Sequence, residues 1–342
     1  MDTFIEETNE LSRNIQSKSA QLFLLLTKIE VDKLDIPNYC LVYFKKSHLN
    51  RLFFSIQTSA HLLYRAILEK RKPVQEIILL DYGAGVGTLY LLAKMIGCRM
   101  VVYNDHMDDW KNSAATIARM INVHIDQYVV GDIAQTLDHL NKNQIQCDMI
   151  ISRNVVEHIY DLARFFDATY NDQPHALHYH STTANIYNIA SHLKHVLWHK
   201  KWESIYSVKR MDLIEKEIGR GEQSQLLTRK TRGLAGEDLK NAIEVGKATR
   251  IYPDPSIHYT NTCDPVTGVW AEHLLSAKQY RKMINHKQYD LQFAPGFWDT
   301  HYKNGIVNGI TGILNYVIRL LGKGGMYISP FIYIIAKPLH PK

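Results

Sequence analysis

Cysteine is scarce: four residues, Cys40, Cys98, Cys147 and Cys263, lie far apart, with no C-x-x-C pair and no Cys/His spacing suited to zinc. A disulfide framework and a metal finger are excluded, and reduced thiols of a cytoplasmic protein are expected. No uninterrupted apolar run reaches the roughly 18–20 residues of a membrane span. The opening MDTFIEETNELSRN carries acids where a secretory leader needs a basic segment. The expectation is a protein with no leader and no transmembrane segment. Charge of one sign is not concentrated either, with 40 Lys+Arg scattered among 34 Asp+Glu. Residues 194–201 (KHVLWHKK) read as a solvated helix face, so no nucleic-acid partner is expected. Internal repeats and low-complexity tracts are missing, which excludes solenoids. What is present is a globular composition, 46% hydrophobic and 22% charged, long enough for two domains or one domain with a large cap.

Apolar residues recur at three- and four-residue intervals over 3–33 and, past Pro37, over 45–72, predicting two N-terminal helices. Short apolar runs then alternate with helical stretches. Strands are predicted at 77–80, 99–103, 124–130, 147–151 and 176–182, and helices at 89–96, 108–122, 133–141 and 155–166. Such alternation implies a doubly wound, mostly parallel sheet with helices on both faces. Residues 185–275 change character: long polar helical segments (190–219, 236–248) lead to an irregular loop with Pro253, Pro255 and Pro265. A helix at 305–321 and strands at 289–293 and 326–336 close the chain, giving seven strands. The organisation is an N-terminal helical lid or cap (1–73), an α/β core (74–184), a cap insertion (185–275) and a C-terminal completion of the core (276–342).

Between the first strand and its helix stands Asp81-Tyr82-Gly83-Ala84-Gly85-Val86-Gly87-Thr88. Glycines there let the backbone turn sharply and let a ligand approach the main chain and the helix N-terminus. The dinucleotide fingerprint is G-x-G-x-x-G, whereas here the glycines alternate and an acid precedes them by two residues, which argues against NAD. Further acids follow the next two strands, Asp105 after MVVYND's strand and Asp132 in YVVGDI. Ligands of open α/β sheets bind at such strand ends. The pattern D-x-G-x-G-x-G resembles motif I of the class I S-adenosylmethionine-dependent methyltransferases, over about residues 77–183. That resemblance implies a seven-stranded sheet with an antiparallel end and S-adenosylmethionine as methyl donor. It implies donor contacts from Asp81, Gly83, Ala84, Gly85 and Gly87, from Asp105 and His106 at the ribose, from Asp132 and Ile133 at the adenine, and from Arg153 and Asn154 after the fourth strand.

Methyl transfer is an in-line displacement that rests on alignment, with a base needed only where an acceptor hydroxyl must lose its proton. His158, in the Glu157-His158 pair past the fourth strand, is the first candidate, with bracing of the helix as the other use. His178 and His180 alternate on the fifth strand, so both face one side, toward an acceptor or into the core. Asn185 and Tyr187 are further candidates to bond a polar acceptor, on a weak resemblance to sugar methyltransferases. His192, His195 and His199 share a helix face, but the order His195-Val196-Leu197-Trp198-His199 lacks the glutamate of a zinc hydrolase, so no metal is expected. Trp198, Trp202, Tyr206, Trp270 and Phe297 either stack on a sugar or build the cap's own core. The Asp/Asn-Pro-Pro-Tyr turn of base methylation is missing after the fourth strand, where Ser152-Arg153-Asn154-Val155 stands. The expected acceptor is a sugar, glycan precursor or other polar small molecule. N-methylation, a lipid or quinone acceptor, and a non-catalytic binder are the alternatives. The N-terminal helices serve as a lid or as a homodimer contact.

Overall fold

A computed structural model describes residues 3–249 and 260–339; Pro253 and Pro255 lie outside the described residues. Seven strands, β1 Ile78–Asp81, β2 Met100–Asp105, β3 Gln127–Val130, β4 Met149–Arg153, β5 Leu177–Thr182, β6 Tyr289–Pro295 and β7 Ile332–Pro338, form one sheet in the order β3-β2-β1-β4-β5-β7-β6. From β3 to β5 all neighbours are parallel. β7 runs antiparallel to both β5 and β6, so the sheet is mixed and β6 points with the parallel set.

The helices, in chain order, are α1 Glu10–Thr27, α2 Asn38–Tyr43, α3 Leu52–Lys70, α4 Leu89–Met95, α5 Asp108–Met120, α6 Ile133–Lys142, α7 Leu162–Asp172, α8 Ile189–Ile218, α9 Glu222–Lys230, α10 Gly236–Thr249, α11 Ala277–Met283 and α12 Gly305–Leu321. Successive strand residues point to opposite faces, and the core divides accordingly. Leu79, Val101 and Ile151 meet Ile15 and Leu22 of α1, Ile56 and Leu63 of α3, and helices α4 and α5. Leu80, Val102 and Ile150 meet Leu137 and Leu140 of α6, Phe165 and Phe166 of α7 and Tyr280 of α11. Each such side chain stabilises the fold by about 1.5–3 kcal/mol. Between α8 and α9 the fully buried Arg210 donates to the Thr228 carbonyl and to Glu203.

Several local expectations change, among them the second N-terminal helix, which is regular only over Leu52–Lys70 after a π turn Phe44–His48 and a 3-10 turn Leu49–Arg51. α1 starts only at Glu10, where Asn9 accepts from the Ser12 N–H as a cap. The stretch 155–166 is not one helix: a 3-10 turn Val156–His158 is followed by extended chain, and α7 starts after Asp161, which caps it by accepting from Arg164. The turn is held because Trp270 and His273 donate their N–H groups to the His158 and Glu157 carbonyls. The last strand begins at Ile332 rather than 326, since Asn185 and Asn188 donate to the carbonyls of Met326, Ile328 and Ser329 and hold that segment as a turn before Pro330. Also against expectation, Gly305–Tyr327 is by length and composition apolar enough to cross a membrane, with mean hydropathy 1.3 and 11% of the window buried. Averaging over a window tolerates Asn308, Asn315 and Arg319, which an uninterrupted run does not.

Candidate functional site

In the order β3-β2-β1-β4-β5 the chain direction of winding reverses between β1 and β4, and the carboxyl ends flanking such a switch point form the natural crevice of an α/β sheet. The glycine turn opens there. Gly83 has φ +69°, and a Cβ at that position would lie 2.6 Å from Val155, so β1's turn and the chain leaving β4 touch only because the side chain is absent. Ala84 N–H donates to the Asn104 carbonyl at 2.8 Å, and Gly85 N–H donates to Asp105 Oδ2 at 2.9 Å. The other carboxylate oxygen of Asp105 accepts from the His106 backbone and ring nitrogen, at 2.8 and 3.0 Å. This contact raises the His106 pKa. Asn104 completes the seam by donating to the Gly131 carbonyl and to Thr136.

A cavity of about 660 Å³ runs along these ends, lined by Gly83, Asp105, His106, Asp132, Ile133 and His158. Asp132 caps α6, accepting at Oδ1 from Ala134 and Gln135, so one carboxylate oxygen is used by the helix and the exposed group sits on the cavity rim. Across Gly83 and Val155 lies a smaller cavity of about 100 Å³, lined by Asp81, Gly85, Gly87, His48, Arg153 and Asn154. Asp81 is 2% exposed; desolvation pushes its pKa up to about 8, against the pull of Arg153. Arg153 Nη1 donates to Ser55 O and Oγ at 2.6 and 2.9 Å and reaches Thr58 and Ser59, and its burial lowers its pKa. His48, beside it, is pushed down to about 3 by burial and then by Arg153. A third cavity, about 170 Å³, shares Arg153 and Asn154 and is lined by Arg51, Ser55, Thr58, Ser181 and Thr183.

His158 Nδ1 lies 2.7 Å from the Trp270 carbonyl, which can only accept, so Nδ1 carries the proton and Nε2 is the lone-pair nitrogen of the neutral ring. Glu157 beside it is fully buried, and desolvation raises its pKa. His178 and His180 do not join the site. Both are fully buried against Phe165 and Phe166, in a chain from Ser152 through His180 and His178 to Tyr289, and none of the cavities described here includes them. Burial pushes His180 down to about 3 and His178 well below its usual range, leaving both neutral. Asn185 and Tyr187 are likewise used internally, Tyr187 Oη accepting from Ala277 N–H at 2.7 Å. His195 pairs with the Glu272 carboxylate, and His199 Nε2 bonds the Glu272 carbonyl at 2.7 Å. The aromatics of the cap stack on one another, as Trp202 on Tyr206 and Trp270 on Tyr160 and His273.

The sequence reading missed the hydroxyls that hold Arg153. Their signal is present: Ser55, Thr58 and Ser59 fall at i, i+3 and i+4, a polar stripe on the buried side of α3, and all are buried. A stripe of that kind on a core-facing helix marks a buried polar partner.

No family model matches the chain, and no curated protein matches it. Among solved structures it is similar to an S-adenosylmethionine-dependent methyltransferase from Mesorhizobium loti, with 11% identity over 81% of this chain and 97% of that one and a TM-score of 0.38. One from Clostridium acetobutylicum is 16% identical over 44% of this chain and 58% of that one, with a TM-score of 0.34. A putative RNA methyltransferase from Pyrococcus horikoshii is 14% identical over 48% of this chain and 72% of that one, with a TM-score of 0.31. Likeness at this level bears on neither acceptor nor activity.

Proposed function

We propose that this chain is an S-adenosylmethionine-dependent methyltransferase that methylates a hydroxyl of a polar small molecule, such as a sugar or glycan precursor. The carrying observation is the pair of cavities meeting at Gly83 and Val155, one edged by Asp105 and Asp132, the other by Asp81 and Arg153. An adenosine suits the first: Asp105 is the acceptor for ribose hydroxyls, and Asp132 with Ile133 the edge and face for the adenine. An amino-acid end suits the second, with Asp81 for its ammonium and Arg153 for its carboxylate. When bound, S-adenosylmethionine supplies an electrophilic methyl carbon on a sulfonium.

The acceptor belongs at the end of the large cavity lined by His158, Tyr160, Asp161 and Arg164, whose polar groups can bond a sugar. His158 takes the acceptor's proton at Nε2, since Nδ1–H is committed to Trp270. His158→Ala is expected to lower turnover by about 10²–10⁴-fold while S-adenosylhomocysteine affinity stays within about twofold. Equal loss in both would make His158 a brace of the turn rather than a base.

Calorimetric titration with S-adenosylmethionine, S-adenosylhomocysteine and NAD tests the cofactor directly. Saturable binding of the first two alone supports the reading and opens a screen of sugar acceptors; binding of NAD, or of none, removes it.

A further inference from the structure

We propose that the outward face of α12, together with the first turns of α8, docks onto the surface of an anionic lipid bilayer. α12 is amphipathic with its apolar side turned out. Ile306, Ile310, Ile313 and Leu320 follow one another at helical spacing and are 74%, 54%, 65% and 69% exposed. The opposite side carries Asn308, Thr311, Asn315 and Ile318, of which Thr311 and Ile318 are buried. A helix serving only to cover a soluble core would be turned the other way. At the start of α8, Ile189, Leu193 and Leu197 are likewise 76%, 56% and 69% exposed. The two stretches adjoin: Asn188 donates to the Ile328 carbonyl, and Tyr187 packs on Tyr327 at 5.6 Å between ring centres.

Charge selects the occupant. Residues 185–201 and 300–331 contain no Asp or Glu, while Lys194, Lys200, Lys201, Lys303 and Lys323 are all exposed. Apolar side chains bordered by lysines and tyrosines, with the exposed Glu6 taken up by Arg319 of α12, match an anionic interface. A symmetric contact with a second copy would instead set lysines against lysines. The helix lies along the bilayer rather than through it. Although Gly305–Tyr327 is long enough to span, Gly322 at φ +52° ends the regular helix after 17 residues, about 26 Å, and the inner side is tied down by paired bonds between Asn315 and Trp298 and between Asn308 and Tyr302.

The test is co-sedimentation of the full chain with vesicles of phosphatidylcholine alone and of equimolar phosphatidylcholine and phosphatidylserine, beside sedimentation velocity without lipid. Partition onto the mixed vesicles is expected to exceed that onto neutral ones by at least about tenfold, and Ile310→Asp with Ile313→Asp to lower it by a similar factor. Lys303→Glu with Lys323→Glu, which leaves the apolar stripe in place, should weaken binding and its salt dependence together. Unchanged thermal unfolding of both variants separates this from misfolding. Absence of partition, equal partition on both vesicles, or a dimer that the isoleucine variants dissolve would overturn the proposal.

Discussion

Asp105→Ala is expected to weaken S-adenosylhomocysteine binding by about 100-fold or more. The carboxylate has two duties. It accepts from Gly85 N–H at 2.9 Å and so fixes the turn, and it stands at the edge of the large cavity where ribose hydroxyls would donate to it. Charge-assisted hydrogen bonds contribute about 1.5–3 kcal/mol each, and losing two exceeds a factor of 100. Asp105→Asn keeps the turn, because the amide oxygen still accepts from Gly85, while the second position, which accepts from His106 and would accept from the ribose, becomes a donor. An intermediate loss in Asn and a larger one in Ala is the expected ordering in calorimetry. Wild-type affinity in the alanine variant would remove Asp105 from the ligand site.

What the sequence made legible is what depends on neighbours in the chain. The strand, glycine turn and helix of 78–95 are a local pattern, and the acids at 105 and 132 follow their strands by simple counting. Asp132 also shows how one residue satisfies two readings, as a helix cap and as a cavity rim. Alternation puts His178 and His180 on one face of β5 but does not say what covers that face; α7, with Phe165 and Phe166, decides it. The contact of His158 with Trp270 spans 112 residues and the grip of Ser55 on Arg153 spans 98. Neither leaves a periodic trace beyond the polar stripe on α3. α12 is the sharpest case: apolar spacing marks its boundaries, 305–321, but not its inverted orientation, at which only its acid-free flanks hint.

If Asp81 holds the ligand's ammonium as proposed, its burial predicts a pH-dependent affinity. In the folded protein its carboxyl is pushed up to about 8, above the ordinary carboxylate value of 3.8, because desolvation outweighs the attraction of Arg153. The groups facing it are Arg153 from β4, Asp105 from β2 and the backbone of Tyr90 from α4. The folded state therefore keeps a proton that the unfolded chain releases. Asp81's contribution to stability is fully present below about pH 3.8 and is lost as pH rises through about 8, by about 1.4 kcal/mol per pH unit in between. His178 and His180, held neutral, act in the opposite sense below their ordinary value of 6.5, while His106, raised from 6.5 by Asp105, acts in the same sense as Asp81. Asp81→Asn should reduce the fall in stability from pH 7 to 8 in urea unfolding, leaving the part due to His106. A cationic ammonium arriving beside Asp81 favours its ionised form, so binding expels the proton. Affinity for S-adenosylhomocysteine should then rise by up to about tenfold per pH unit toward pH 8 and level off above it. Buffers of different ionisation enthalpy would register the released proton, and Asp81→Asn should show neither the proton nor the pH dependence. A wild-type affinity that is flat from pH 6 to 8 would place the ammonium elsewhere.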